Sequence, residues 1–319
     1  MLVYPLFIIG LVGVLAGAHL LVLGSSRIAA SLGIPPVVIG LTIVGFGTSA
    51  PEIIISGLAS YHGNPDTALG NIVGSNIANV GLVLGATALL YPLRPDRTVL
   101  RREGPVMVAV SLVILALAFS GSYERWHGGL MLLALAGFLA MSLFWSRDAT
   151  PSMASGDIER IEPGRPLFSF RALPLQIGYV VVGSALLFGG GEALIESATT
   201  IADDFGIPEF VIASTVVAIG TSVPEMATSF IAALRRQADI AVGNIIGSNI
   251  FNLLCVLGIA SSIGVIPVEG LTRVIDMPVM VAFSLVAVAM ARWNYHMSRA
   301  EGGLLLAAYI AYIAYLLMR

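Results

Sequence analysis

The sequence predicts an all-α integral membrane protein of ten transmembrane helices, arranged as two inverted-topology repeats of five, with a broken helix in each repeat at the membrane midplane. Three observations carry that expectation. Of 319 residues, 57% are hydrophobic and only 11% charged, with a mean hydropathy of +0.93, more apolar surface than a soluble chain of this length can hide. The apolar residues fall into ten runs of roughly 20 residues, the length that crosses a hydrocarbon core. A polar cassette is also written twice: GTSAPE at 47–52 with GNIVGSNIAN at 70–79, then GTSVPE at 220–225 with GNIIGSNIFN at 243–252. The copies sit 173 positions apart, and 22 of 46 residues are identical between 40–85 and 213–258.

The first run, 2–24, has no basic residue before it and no evident small-residue cleavage site, which marks a retained helix rather than a signal peptide. Runs 35–60 and 67–91 hold the first cassette, and 104–121 and 126–145 complete the first half. The stretch 146–171 carries Pro151, Gly156, Pro163, Gly164, Pro166 and mixed charges, and reads as a hydrophilic linker too short to form a domain. Runs 173–197, 207–234, 239–264, 274–291 and 302–318 make the second half. The offset continues outside the cassettes: Leu32-Gly33-Ile34-Pro35 aligns with Phe205-Gly206-Ile207-Pro208, and Pro105-Val106-Met107-Val108-Ala109 with Pro278-Val279-Met280-Val281-Ala282. The repeats are therefore 1–145 and 172–319, joined by a cytoplasmic linker. Five helices is an odd number, so the second repeat is turned over in the membrane, as in many transporters.

All 16 basic residues are Arg. With the N-terminus outside, 13 of them fall on inward loops, including Arg94, Arg97, Arg101 and Arg102, and only Arg125, Arg273 and Arg319 lie outward. The positive-inside rule thus places both termini outside the cytoplasm. The Arg94 to Arg102 group is a topology determinant, with anionic-lipid contact as a secondary role. The single Cys255 excludes an internal disulfide, and no Cys/His metal cluster can be assembled.

Glu52 and Glu225 stand inside spanning runs, where an ionised carboxylate costs at least several kcal/mol unless it is paired or solvated. Pro51 and Pro224 follow Gly47 and Gly220. Proline lacks the backbone donor and crowds the carbonyl four residues back, so the helix is expected to break near Thr48 and Thr221 and to release carbonyls as ligands. Broken helices at matching places in two halves point to a midplane binding site. Asn71, Ser75 and Asn79 recur at spacing four on one helix face, as do Asn244, Ser248 and Asn252. Gly70, Gly74, Gly243 and Gly247 are expected to let helices approach closely. Two carboxylates with hydroxyl, amide and carbonyl oxygens form an all-oxygen shell, the preference of hard cations, and their charge balances one divalent ion. For Asn71, Asn76, Asn244 and Asn249, helix packing and direct binding stay equally open.

These residues resemble the two alpha-repeats of the cation/calcium exchanger superfamily, whose sodium/calcium exchanger branch carries G-T-S-x-P-E and G-x-x-x-G-S-N-x-x-N/D in both halves. The resemblance covers nearly the whole chain and is to a prokaryotic sodium/calcium exchanger. It implies that Glu52 and Glu225 bind calcium and sodium in turn, with the Thr48 and Thr221 carbonyls completing the calcium shell. Ser49, Ser75, Ser222 and Ser248, with the carbonyls of Gly45 and Ala218, would line sodium sites, and Asn79 and Asn252 would flank the centre. An amide rather than an acid at Asn252 argues for potassium independence. The partners implied are calcium and sodium ions and the bilayer of a plasma membrane, with no cofactor, nucleic acid or obligate protein partner.

Proton-coupled calcium exchange is the main alternative, although that branch departs from G-S-N in the second half of the cassette. A passive cation channel fits an inverted repeat with two breaks less well. An intramembrane hydrolase lacks a base, because His19, His62, His127 and His296 lie outside both cassettes. The Gly-rich runs 2–24 and 173–197 are the candidates to slide against the core. His19 and Glu192 occupy equivalent positions and suit interfacial or interhelical pairing. Glu196, Asp203, Asp204 and Glu209 are expected to face water at the outer mouth, and Asp66 and Asp239 to cap helix starts.

Overall fold

The computed structural model describes residues 3–32, 36–147, 173–205 and 218–318. Most of the linker, Glu209 and the first part of the run at 207–234 lie outside them. Long apolar windows form the long helices: α1 (Val3–Leu32), α7 (Arg97–Ala118), α8 (Arg125–Arg147), α9 (Leu173–Asp204), α14 (Met277–Asn294) and α15 (Arg299–Met318). Shorter pieces build the cassette regions. In the first half these are α2 (Pro36–Ile39), α3 (Gly45–Thr48), α4 (Ala50–Tyr61), α5 (Pro65–Ala78) and α6 (Gly85–Leu90); in the second, α10 (Ala218–Thr221), α11 (Val223–Leu234), α12 (Ala238–Phe251) and α13 (Leu257–Ile263). Two-residue strands β1 (Ser122–Tyr123) and β2 (Ile266–Pro267) pair antiparallel.

Seven helical stretches among the described residues are long and apolar enough to cross a membrane, and the bent pair 40–48 with Ala50–Tyr61 makes an eighth. α7 opens with Arg97, Arg101, Arg102 and Glu103, so its apolar part begins only after that charged turn. α11 is 12 residues long, too short to span alone. The chain is an integral, multi-pass, all-helical membrane protein.

Four wide π turns interrupt the described helices: π1 (Gly40–Val44), π2 (Asn79–Leu84), π3 (Asn252–Val256) and π4 (Thr272–Asp276). π2 and π3 begin on Asn79 and Asn252, the same place in each cassette. Such turns are rare and concentrate at functional sites.

An 18-residue core of the stretch Ala238–Ile263 is wholly buried and 78% of the matching core of Pro65–Leu90 is, whereas α1, α9 and α15 present most of their residues outward. Outward apolar residues such as Ile8, Ile9, Leu133 and Val181 suit contact with lipid. α1 and α9 run along one another with their backbones nearly touching. A Cβ on Gly17 would stand 2.6 Å from the Leu187 nitrogen, and one on Gly183 2.6 Å from the Leu21 nitrogen, the close approach small residues allow between membrane helices. At one end α1 is tied to the turn between α11 and α12. Arg235 Nη2 lies 2.7 Å from His19 Nε2, and Ser26 Oγ donates to Gln237 Oε1 at 3.0 Å. His19 therefore serves interhelical pairing.

The glycine expectation holds at Gly247. A Cβ on Gly247 would lie 2.5 Å from the Leu41 carbonyl, so π1 packs directly on α12 there; around Gly70 and Gly74 nothing among the described residues comes within 4 Å. Asp66 and Asp239 occupy first turns, but the carboxylate of Asp239 accepts the Asp96 amide at 2.6 Å and so ties the start of α12 to the loop before α7.

Candidate functional site

Both cassettes break where proline dictates, one residue past the expected threonines. Pro51 cannot donate to the Gly47 carbonyl, and Ser49 leaves the helix at φ −85°, ψ 4°. The flanking pieces meet at 51°. Ser222, before Pro224, takes φ −91°, ψ 4°. In each half the break puts Glu52 or Glu225 in the first turn of the following helix, turned inward.

The side chains converge across the halves. Glu52 and Glu225 have no solvent exposure, and their charges are within electrostatic reach of one another. Ser49 Oγ donates to Glu225 Oε1 at 3.5 Å. Thr48 Oγ1 lies 3.2 Å from Asn244 Oδ1 and 3.2 Å from Ser248 Oγ, so the first break is docked on α12. Gly45 is buried beside them, and its carbonyl accepts the Ser49 amide at 3.0 Å and the Thr48 hydroxyl at 3.3 Å. Ser222 is buried, Thr221 nearly so, and Ser75 is buried with Oγ donating to the Asn71 carbonyl at 2.7 Å. Ala218 opens α10.

Buried polar groups are normally satisfied, and here many are not. Both carboxylate oxygens of Glu52, Oε2 of Glu225, Oγ of Ser222 and every side-chain amide atom of Asn79 and Asn252 lack a hydrogen-bond partner among the described residues. The two Asn start π2 and π3. An unpaired carboxylate in such surroundings is stabilised by a cation, and the donor set is oxygen, as hard cations require. No three His, Cys, Asp or Glu side chains gather as a metal-binding group among the described residues, so Ser, Thr, Asn and backbone oxygens have to supply the rest of any shell.

The flanking asparagines have other tasks. Asn71 Nδ2 donates to Ser56 Oγ and Asn244 Nδ2 to Ser229 Oγ, both at 3.0 Å, fastening equivalent helix pairs α4–α5 and α11–α12. Asn76 and Asn249 donate to the carbonyls of Ile72 and Ile245 in their own helices, both at 2.7 Å.

Two clefts reach this region. One, of about 400 Å³, is lined by Pro51, Gly220, Thr221 and Pro224 together with Glu192 and Glu196 of α9, both exposed. The other, of about 270 Å³, is lined by Asn71, Ser75 and Thr221 on one side of the sequence and by Asp276, Tyr309 and Tyr312 on the other. Asp276 escaped the sequence reading because it stands at the edge of an apolar run. The signal was available: 173 positions earlier is Glu103, also acidic and also buried.

A helical membrane bundle with two broken helices and a buried carboxylate at each break, within electrostatic reach of one another, fits a transporter rather than an enzyme. The chain belongs to the sodium/calcium exchanger protein family, whose model matches residues 2–144 and 175–318. It is 41% identical over 98% of both chains to CaxA of Alkalimonas amylolytica, whose antiporter name is itself provisional. It is 30% identical over 98% of both chains to the sodium/calcium exchanger MaX1 of Methanosarcina acetivorans. The solved sodium-calcium exchanger NCX_Mj, in crystals soaked with zero Na+ and Ca2+, superposes with a TM-score of 0.84 at 30% identity over 99% of both chains.

Proposed function

We propose that the protein is a secondary active antiporter that exchanges sodium for calcium by alternating access. The observation that carries this reading is the meeting of Glu52 and Glu225, one from each cassette, with most of their oxygens unpartnered. In the proposed site the two carboxylates hold one calcium, helped by the Thr48 and Thr221 carbonyls. Ser49, Ser75, Ser222 and Ser248, with the Gly45 and Ala218 carbonyls, take up sodium when calcium leaves, and Asn79 and Asn252 flank the centre. Calcium and sodium compete for shared oxygens, and the ion-free site carries buried charges that disfavour crossing between inward and outward states. Exchange is thereby coupled.

The same reading takes the halves 1–145 and 172–319 as inverted repeats of five spans each, joined at 146–171, with both termini outside. In this scheme the α1–α9 pair, with its glycine seam, is the element that slides against the core. Radioactive calcium uptake into proteoliposomes preloaded with sodium, at clamped potential, tests it. Uptake that requires the outward sodium gradient and disappears in Glu52→Gln is the expected result. Uptake indifferent to sodium but driven by a pH gradient would move the protein to proton-coupled exchange.

A further inference from the structure

The second cleft contains a charge for which the exchange site has no use. Asp276 ends π4, inside the apolar stretch Thr272–Trp293, and is only 8% exposed. A carboxylate at that depth needs compensation, and Tyr312 donates its hydroxyl to Oδ1 at 3.1 Å. The π turn widens the helix at this point, and the carboxylate borders an open volume of about 270 Å³. At ~30 Å³ per water that is room for roughly nine molecules, enough for a small cation that keeps part of its hydration shell. Asn71, Ser75 and Thr221 border the same volume, so it adjoins the exchange site directly.

The repeat partner shows that acidity alone does not make such a place. Glu103 is also buried, but it lies in an α-helix without a π turn, and none of the described cavities includes it. Among the described residues, the Asp276 side combines a π turn, a phenol and a cleft.

We infer that this cleft is a second cation-binding site, selective for a monovalent ion, with Asp276 as its charged ligand and Tyr312 as the residue that positions the carboxylate. Selectivity follows from the charge: one carboxylate balances one positive charge, whereas the exchange site offers two. The inference rests on the sodium/calcium reading above and assigns the cleft to sodium on its way to Ser75.

The test is Asp276→Asn in proteoliposomes, with calcium flux followed as a function of sodium concentration and, separately, as calcium/calcium exchange without sodium. The expected result is a half-saturating sodium concentration raised roughly tenfold, the scale of one charge-assisted contact, with calcium/calcium exchange unchanged. Tyr312→Phe should produce a smaller shift in the same direction, and Asp276→Glu, which keeps the charge, should restore most of the sodium response. An unchanged sodium curve with intact calcium/calcium exchange overturns the inference and leaves the exchange reading standing. Equal loss of both fluxes in Asp276→Asn, not recovered by Asp276→Glu, marks a structural residue and overturns it as well. Failure of the exchange reading itself shows in the unaltered protein, as calcium flux indifferent to sodium, and takes this inference with it.

Discussion

Thr48 and Thr221 occupy the same place in the two cassettes, yet their surroundings differ. The Thr48 hydroxyl is held against Asn244 and Ser248, and the glycines around it seat π1 and α3 on α12. Thr221 borders both clefts. The central stretch of the second half is wholly buried, that of the first only 78%. The parts shared by both halves follow the duplicated cassette residues: the break at Ser49 and Ser222, the π turns at Asn79 and Asn252, the Asn71 and Asn244 fastenings. The differences lie in how each break packs on the opposite half. A duplicated sequence thus leaves the first break docked on α12 and the second bordering the clefts.

The largest expected effect tests whether the centre is common. A single divalent ion shared by both cassettes loses half its balancing charge when either carboxylate is neutralised. Glu52→Gln and Glu225→Gln should each lower calcium affinity by about 100-fold or more, given that a charge-assisted contact contributes up to ~3 kcal/mol and 1.4 kcal/mol is a factor of ten. Calorimetric titration in detergent is the check. Near-normal affinity in either variant would mean that the two cassettes do not share the ion.

Next in size is the packing contrast itself. Gly247→Ala places a methyl 2.5 Å from the Leu41 carbonyl, a backbone clash that should cost about 1–3 kcal/mol by overpacking and lower the melting temperature. Gly74→Ala meets nothing among the described residues and should be neutral, or stabilising by up to ~1 kcal/mol because alanine is the better helix former. Equal destabilisation by the two would abolish this packing contrast. Smaller again is Thr48→Val, which removes the hydroxyl shared with Asn244 and Ser248; a loss of about 1 kcal/mol per bond is expected, with Thr48→Ser close to the parent in thermal melts.

Much of this was legible in the chain. Apolar runs gave the helices, because membrane length and composition leave few other structures, and the doubled cassette gave the two breaks, because proline acts on its own neighbourhood. Contacts between the halves were not legible. Periodicity placed Asn71, Ser75 and Asn79 on one face but could not say that Thr48 would bond Ser248, 200 positions away. Gly70 and Gly74 carry the small-residue spacing of a packed seam without a described neighbour, because the seam depends on which helix is opposite. The π turns escaped because an extra residue in a turn is stabilised by tertiary packing. Asp276 was missed because its importance comes from the cleft beside it and not from its own segment.

The smallest expected effect belongs to two of the four asparagines that the sequence left undecided, Asn76 and Asn249. Each donates at 2.7 Å to a carbonyl four residues back and leaves Oδ1 buried without a partner. Replacing either by Ala removes one bond, and also one unsatisfied acceptor whose burial costs a comparable amount. The two terms oppose each other, so each variant should change stability by less than about 1 kcal/mol, and the two should agree within roughly 0.5 kcal/mol if both only support their helices. Melting with and without calcium separates the possibilities. An unchanged calcium-induced shift in both variants identifies helix support as their role. A reduced shift in one alone would make that asparagine an ion ligand and extend the asymmetry of the two halves into the site itself.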